Sequence, residues 1–143
     1  MSEAKDTYCK CLYFSSNALA RVMTKMAEEE FAAVNLAPSY AFVLMTVNKT
    51  PGITSGELAE VMMLSPSTIT RLCENLEQQG LLKRHYEGRL SLMYPTPKSV
   101  EMNDAIKTAW FKVYQRYVDV LGDTFAHSLT NDVFSSATKL LKK

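Results

Sequence analysis

The sequence is short of the residues from which most active sites are built. It has two histidines, His85 and His127, and neither has a nucleophile or further ligands at metal-binding spacing around it. An enzyme with a convergent polar site is therefore not expected, and neither is a metal or other cofactor. Three cysteines make an odd number, and no exported leader accompanies them, which argues for free thiols rather than a disulfide framework. Long hydrophobic runs are missing too. Residues 1–6 carry no basic stretch followed by apolar residues, and an apolar run such as residues 41–45 is far too short to span a bilayer. A cytoplasmic chain with no membrane partner is expected. Charge of one sign is also lacking: the formal net charge is +1, so no basic carpet announces a polyanionic partner.

What is present is helical periodicity over 143 residues, 47% of them hydrophobic, enough to bury one core without outside staples. Leu12, Leu19, Val22, Met23 and Met26 recur at helical spacing, which predicts a long amphipathic helix over residues 7–33. Pro38 suits the first position of a second helix, striped by Tyr40, Val43, Leu44 and Val47 and stopped by the turn at residues 49–52. Thr54 with Glu57 makes a capping box, flanked by Ile53 and Leu58 as a hydrophobic staple, so a third helix starts there and ends near Met63. Ser65 as cap and Pro66 at the first position then open a fourth helix, which closes where Gly80 supplies a left-handed residue and Leu81 folds back on Leu76. Each such cap contributes about 1 kcal/mol, which specifies the boundaries well.

Residues 81–86 and 90–94 are rich in β-formers around the turn Glu87-Gly88-Arg89 and read as a two-stranded hairpin, broken by Pro95 and Pro97. A fifth helix is expected over residues 99–121, with Met102, Ile106, Ala109, Trp110, Val113 and Tyr117 in phase and Gly122 ending it. A last helix follows, capped by Thr130 and striped by Val133, Phe134, Ala137, Leu140 and Leu141, which leaves His127 in a loop.

Helix, tight bend, helix and hairpin in that order make a winged helix-turn-helix. The expected fold class is mainly α with a small β-hairpin wing, a single chain over residues 1–143 with its winged module at residues 37–98. Such a module places its second helix in the DNA major groove and can send its hairpin to a neighbouring minor groove. On the fourth helix Ile69, Leu72, Cys73 and Leu76 form the core side, while Ser67, Thr68, Arg71 and Asn75 face away. Ser65 and the helix N-terminus suit a phosphate, and Ser67, Thr68 and Thr70 are small enough to let the backbone approach the duplex. Arg71 can fork onto guanine and Asn75 can pair with adenine, or either can bind phosphate. In the wing, Arg89 suits the negative potential of a narrow minor groove, and Lys83 or His85 suits a phosphate. Strand alternation keeps Lys83, Arg84 and His85 from all facing the duplex, so Arg84 is assigned to bracing the wing against the body. Glu74, near the polar face, opposes phosphate unless it pairs with Arg71. Over residues 65–98 five cations, Arg71, Lys83, Arg84, Arg89 and Lys98, stand against three carboxylates, Glu74, Glu77 and Glu87. This excess of two implies affinity from a few well-placed groups.

The terminal segments, residues 1–36 and 99–143, carry more apolar face than so small a module covers. A second copy covering it by two-fold symmetry is the economical solution, so a homodimer and a palindromic double-stranded DNA operator are expected. A monomeric bundle with the helices folded back is the plain alternative.

These residues resemble the MarR family of bacterial regulators: Leu36-Ala37-Pro38, Ile53-Thr54 with Glu57-Leu58-Ala59, residues 67–72 (Ser-Thr-Ile-Thr-Arg-Leu), residues 76–81 (Leu-Glu-Gln-Gln-Gly-Leu) and Thr96-Pro97-Lys98. The resemblance runs over essentially the whole chain. It implies a homodimeric, usually repressing transcription factor, released by a small aromatic compound or by thiol oxidation. Glu87-Gly88-Arg89 is similar to the family's Asp-x-Arg wing, although the tip is short and Pro95-Thr96 replaces the usual Leu-Thr. Cys9 and Cys11 lie where a peroxide-sensing branch of the family places a reactive thiol, which makes them redox candidates. Two residues apart at the start of a helix, they are expected to point in nearly opposite directions and not to share a metal. Inert packed thiols are the alternative. A ligand crevice between the terminal helices and the module would draw on Tyr13, Phe14, Tyr40 and Trp110. The rival function is a winged-helix interaction or antirepressor module that has lost DNA binding, in keeping with the low net charge.

Overall fold

The computed structural model describes Ala4 and residues 6–142. Helix α1 (Leu12–Phe31) runs into a 3-10 turn (Ala32–Val34), α2 (Pro38–Lys49) follows, and a two-residue strand β1 (Ile53–Thr54) leads into α3 (Ser55–Met62). Then come α4 (Pro66–Gln78), the strands β2 (Leu82–Glu87) and β3 (Leu90–Pro95), α5 (Pro97–Leu121) and α6 (Asp123–Leu141). The sheet is antiparallel in the order β1-β3-β2, so the hairpin is tied to the entrance of α3. Ile53 pairs with Met93 and Thr54 with Leu92. This third strand was not expected, because two residues are too few to show an alternating pattern.

The helix ends follow local chemistry. At α3, the Glu57 N–H donates to Thr54 Oγ1 at 3.1 Å while the Thr54 N–H donates to Glu57 Oε1 at 3.0 Å, closing the capping box. The Thr54 N–H and the Thr54 hydroxyl both donate to Glu57 Oε1, which stabilises the ionised carboxylate and holds its pKa below the ordinary 4.5. Thr96 and Ser99 make a second box at α5. Gly80, at φ +73, ends α4 in a left-handed residue, and the Leu81 N–H reaches back to the Leu76 carbonyl at 2.9 Å while the Gly80 N–H reaches that of Glu77 at 3.0 Å. That pair of bonds is the Schellman closure, and it aims the chain directly into β2.

Two expected boundaries are corrected. Helix α1 begins at Leu12, not near Thr7: Cys11 is extended (φ −92, ψ 118), and Ser15 turns its hydroxyl back to the Cys9 carbonyl at 3.1 Å, so the preceding residues form turns. Helix α6 begins at Asp123, an acid in its first turn, with Gly122 as the entire break. Thr130 therefore does not cap it; it sits inside the helix with its hydroxyl on the Ala126 carbonyl at 2.8 Å. His127 likewise is helical and lies 3.5 Å from the Asp123 carboxylate.

The core gathers Phe31 of α1, Val43, Leu44 and Val47 of α2, Leu58 of α3, Ile69, Cys73 and Leu76 of α4, Leu82 and Met93 of the hairpin, and Ile106 of α5. The winged module meets α5 mainly through α2 and β3, and α3, α4 and β2 pack on those elements in turn. Burial of a Leu or Phe side chain contributes about 1.5–3 kcal/mol, so this cluster supplies more of the free energy that holds α4 in the module than a single polar contact does. Trp110, expected in the apolar stripe of α5, is instead 51% exposed and meets Phe42 edge-on at 6.0 Å. No single helix among the described residues is long and apolar enough to cross a membrane. One bent pair, Leu12–Val34 with Pro38–Lys49, passes on length and composition, but it turns by 62° and contributes Phe31, Val43, Leu44 and Val47 to the core.

Candidate nucleic-acid interface

Helix α4 is strongly two-sided. Ile69, Leu72, Cys73 and Leu76 are buried on one side, and on the other Ser67, Thr70, Arg71, Glu74 and Gln78 are exposed at the i, i+3, i+4 spacing of one stripe. Burial pushes the Cys73 thiol up to about 11, with Arg84 lowering and Glu77 raising it to smaller extents. Cys73 is thus a small core side chain and takes no part in the outer stripe.

The amino end of α4 is organised by hydroxyls. The Thr68 N–H donates to Ser65 Oγ at 3.2 Å, and that same oxygen lies 2.9 Å from the Thr68 hydroxyl and 3.2 Å from that of Ser67. Pro66 sits at the helix start, where a missing N–H costs nothing. The remaining free N–H groups and this hydroxyl cluster together can receive a phosphate oxygen. Thr70 spends its proton on the Pro66 carbonyl at 3.0 Å, which leaves a small acceptor on the outer face.

Among the described residues, no ion pair or hydrogen bond engages the side chains of Arg71, Lys83, His85 or Arg89. These four project unpaired from the helix and the wing, and the Glu74–Arg71 pair that would neutralise the Glu74 carboxylate does not form. Asn75 is placed differently from the stripe. It is half-buried, and its amide donates to the Tyr40 hydroxyl at 2.6 Å, so its donor group is turned toward α2 rather than outward. Sequence reasoning missed Gln78, which completes the exposed stripe one turn beyond Glu74; its spacing from Arg71 and Glu74 was the available signal.

The wing is a two-residue hairpin, with Glu87 paired to Leu90 and Gly88 at φ +59. That conformation is costly for any residue with a Cβ, which accounts for glycine at the tip. Lys83, His85 and Glu87 share one face of β2, while Arg84 points the other way. There Arg84 Nη2 donates to Glu77 Oε1 at 2.9 Å and its Nε to the same oxygen at 3.1 Å. Partial burial disfavours the Arg84 charge, but the Glu77 bonds outweigh it and raise its pKa above the ordinary arginine value. The wing is therefore clamped to α4 itself.

The other expected groupings come apart. Tyr13 is 80% exposed, and Phe14 stacks obliquely on Tyr8 at 5.4 Å. Within one chain neither joins Tyr40 or Trp110. Trp110 lines two cavities, one of about 460 Å³ with Met23, Phe31, Phe42 and Tyr117 and one of about 680 Å³ with Asn48, Lys49, Asn103 and Lys107. Cys9 and Cys11 are both exposed and both precede α1, so the opposite-face argument drawn from a helix does not apply; the Cys9 thiol donates to the Asp6 carbonyl at 3.2 Å. Among the described residues no three His, Cys, Asp or Glu side chains gather to hold a metal.

Fold and outer surface together define a winged helix-turn-helix. The sequence model of the MarR family matches residues 34–89, from the end of the 3-10 turn to the tip of the wing. Over 83 residues the chain is 25% identical to YybA of Bacillus subtilis, an uncharacterised HTH-type transcriptional regulator, covering 56% of this chain and 55% of that protein. A shorter stretch of 49 residues is 41% identical to a riboflavin kinase of Thermococcus kodakarensis, covering 34% of this chain and 23% of that one. The chain thus spans about a quarter and about half of the lengths of these two relatives. Among solved structures, the repressor CouR bound to a 23-mer DNA duplex superposes with a TM-score of 0.81 at 19% identity, covering 90% of this chain and 94% of that one. CouR from Rhodococcus jostii bound to p-coumaroyl-CoA gives 0.79 at 22% identity, with coverage of 90% and 93%. The chain thus matches the MarR family over residues 34–89 and shares the winged-helix fold of these solved structures.

Proposed function

We propose that the chain is a homodimeric, sequence-specific DNA-binding transcriptional regulator, most simply a repressor, and not an enzyme. The observation that carries this reading is the outer stripe of α4: a hydroxyl-capped amino end continued by Ser67, Thr70 and Arg71, with three further unpaired side chains, Lys83, His85 and Arg89, on the wing clamped to it. An α-helix so lined fits the major groove, and a wing-tip cation suits the minor groove. Residues 37–98 act as the reading module, and residues 1–36 and 99–143 as the dimerisation region.

Dimerisation is supported by what one chain leaves uncovered. Leu12 and Val22 of α1 and Phe125, Val133, Phe134, Leu140 and Leu141 of α6 are all exposed. A groove of about 360 Å³ between α1, α5 and α6 is lined almost wholly by apolar side chains, among them Leu19, Met23, Leu121 and Phe134. A second copy covers this surface symmetrically, and a two-fold protein calls for a palindromic operator. Release by a small aromatic ligand is supported by the Trp110 cavities, and release by oxidation by the exposure of Cys9 and Cys11. A cytoplasmic location follows from this role.

Glu74 in the middle of the stripe favours the second reading, an interaction module without DNA binding. Selection of bound fragments from random duplexes at low salt separates the two. Enrichment of a palindrome supports the regulator, whereas recovery of no sequence above background contradicts it.

A further inference from the structure

A chain of hydrogen bonds runs from the junction of α2 and α5 to the carboxyl end of α4, and the function proposed above makes no use of it. It starts at Asn48, near the end of α2, whose amide donates to the Asn103 side-chain oxygen at 3.1 Å and to the Ser99 carbonyl at 3.2 Å, across 55 and 51 residues. Ser99 is the one fully buried polar residue of the described core, and its hydroxyl meets the Asn48 side-chain oxygen at 3.4 Å and the Thr96 carbonyl at 3.0 Å. Thr96, the cap of α5, accepts from the Ser99 N–H at 3.3 Å and spends its own proton on the Gly80 carbonyl at 2.8 Å. Gly80 is the residue whose N–H closes the end of α4. Asn103, Asn48, Ser99, Thr96 and Gly80 are thus successive links, and every buried polar atom among them is satisfied by another.

We propose that Asn48 and Thr96 are positioning residues that set the angle between the reading helix α4 and the long helix α5. Apolar packing alone is weakly directional, since α4 touches its neighbours through Leu and Ile side chains that tolerate small rotations. Hydrogen bonds are directional, and Ser99 at the centre of the network is buried, so the network favours one arrangement of α5 against α2, which the more exposed Thr96–Gly80 bond passes on to the end of α4. In a dimer joined through α1, α5 and α6, the angle between α5 and α4 determines how far apart the two reading helices stand. Hence Asn48 and Thr96 select the spacing between half-sites, although neither need touch DNA. This DNA consequence rests on the dimeric reading proposed above; the angular role does not.

Two measurements test the proposal, and the first needs no DNA. Spin labels are placed on Gln78→Cys of α4 and Thr108→Cys of α5 in the full chain with Cys9→Ser and Cys11→Ser, diluted with unlabelled chain so that only pairs within one chain are read. A narrow distance distribution is expected for the otherwise unaltered chain, broadened about twofold or more by Asn48→Leu and by Thr96→Val, with Thr96→Ser restoring the narrow form. An unchanged width in both apolar variants overturns the positioning role. If Asn48→Leu does not fold, Thr96→Val against Thr96→Ser decides alone.

The second is binding to duplexes whose two half-sites are moved apart one base pair at a time. The unaltered chain is expected to prefer one spacing by about tenfold or more, and the apolar variants to lose most of that preference while half-site recognition remains. A preserved preference with a broadened label distance overturns the link to spacing. No binding by the unaltered chain at any spacing contradicts the regulator reading and the spacing role together, and leaves the label distances to decide the angular role.

Discussion

The Asn75 side chain donates to the Tyr40 hydroxyl at 2.6 Å, joining the middle of α4 to the first turn of α2 over 35 residues of sequence. The bond takes up one of the two amide hydrogens and turns the amide toward α2, which makes Asn75 a brace between the helices. Tyr40→Phe is expected to lower stability by about 1 kcal/mol, because Asn75 loses its half-buried partner. The same change should weaken DNA binding less than Arg71→Ala does. Urea unfolding of both variants beside a binding titration checks the order, and a larger binding loss for Tyr40→Phe would restore Asn75 to the reading surface.

Ser65 serves both the helix and the phosphate it is proposed to hold. Ser65→Ala removes the acceptor for the Thr68 N–H and should cost about 0.5–2 kcal/mol of stability, with Ser65→Gly costing less. If the cap also receives phosphate, Ser65→Gly still binds DNA more weakly than the unaltered chain by an amount its stability does not explain. Equal affinity at a salt concentration where both are folded removes Ser65 from the interface.

Much of this arrangement could be read in the sequence, because each feature rests on near neighbours. Thr54 and Glu57, Ser65 and Pro66, and Gly80 and Leu81 mark helix ends through contacts within a few residues, and the buried side of α4 follows from a period of 3.6. Features that depend on distant residues were hidden. The strand β1 exists because Ile53 and Thr54 find β3 about forty residues later, and the role of Asn75 depends on Tyr40. Local signals also misled where two fit equally well. Thr130 has the chemistry of a cap, but a break of one residue at Gly122 lets α6 start at Asp123, and Thr130 then bonds back within the helix.

The three cysteines should separate cleanly in a thiol titration. Cys9 and Cys11 are exposed, whereas Cys73 is buried with its pKa pushed up to about 11, so its reactive thiolate is scarce at neutral pH. Two thiols are expected to react quickly with a disulfide reagent and the third only on unfolding. Three fast thiols would place Cys73 outside the core.

Acid should loosen the entrance to α3 first. The Glu57 carboxyl is held below its ordinary 4.5 by the Thr54 N–H and hydroxyl, so its contribution is present above 4.5 and is lost as pH falls through the lower folded value. Amide exchange at Thr54 and Glu57 is expected to quicken below about pH 4.5 relative to the rest of α3. In Glu57→Gln that acid-dependent component disappears. An acid response unchanged by the substitution would assign it to another carboxylate.

The central claim is that the outer stripe of α4 meets DNA, and Arg71 is its most direct probe. The measurement is affinity for the selected operator across a salt series, for the unaltered chain and for Arg71→Ala. Binding should fall with salt at a log–log slope near −0.9 for each phosphate neutralised. Arg71→Ala should lose about 1–3 kcal/mol on the operator if it reads a base, with little change on unrelated duplexes, or flatten the slope by about one phosphate for each operator half-site if it holds the backbone. Arg71→Ala binding with unaltered affinity and unaltered slope would contradict the account.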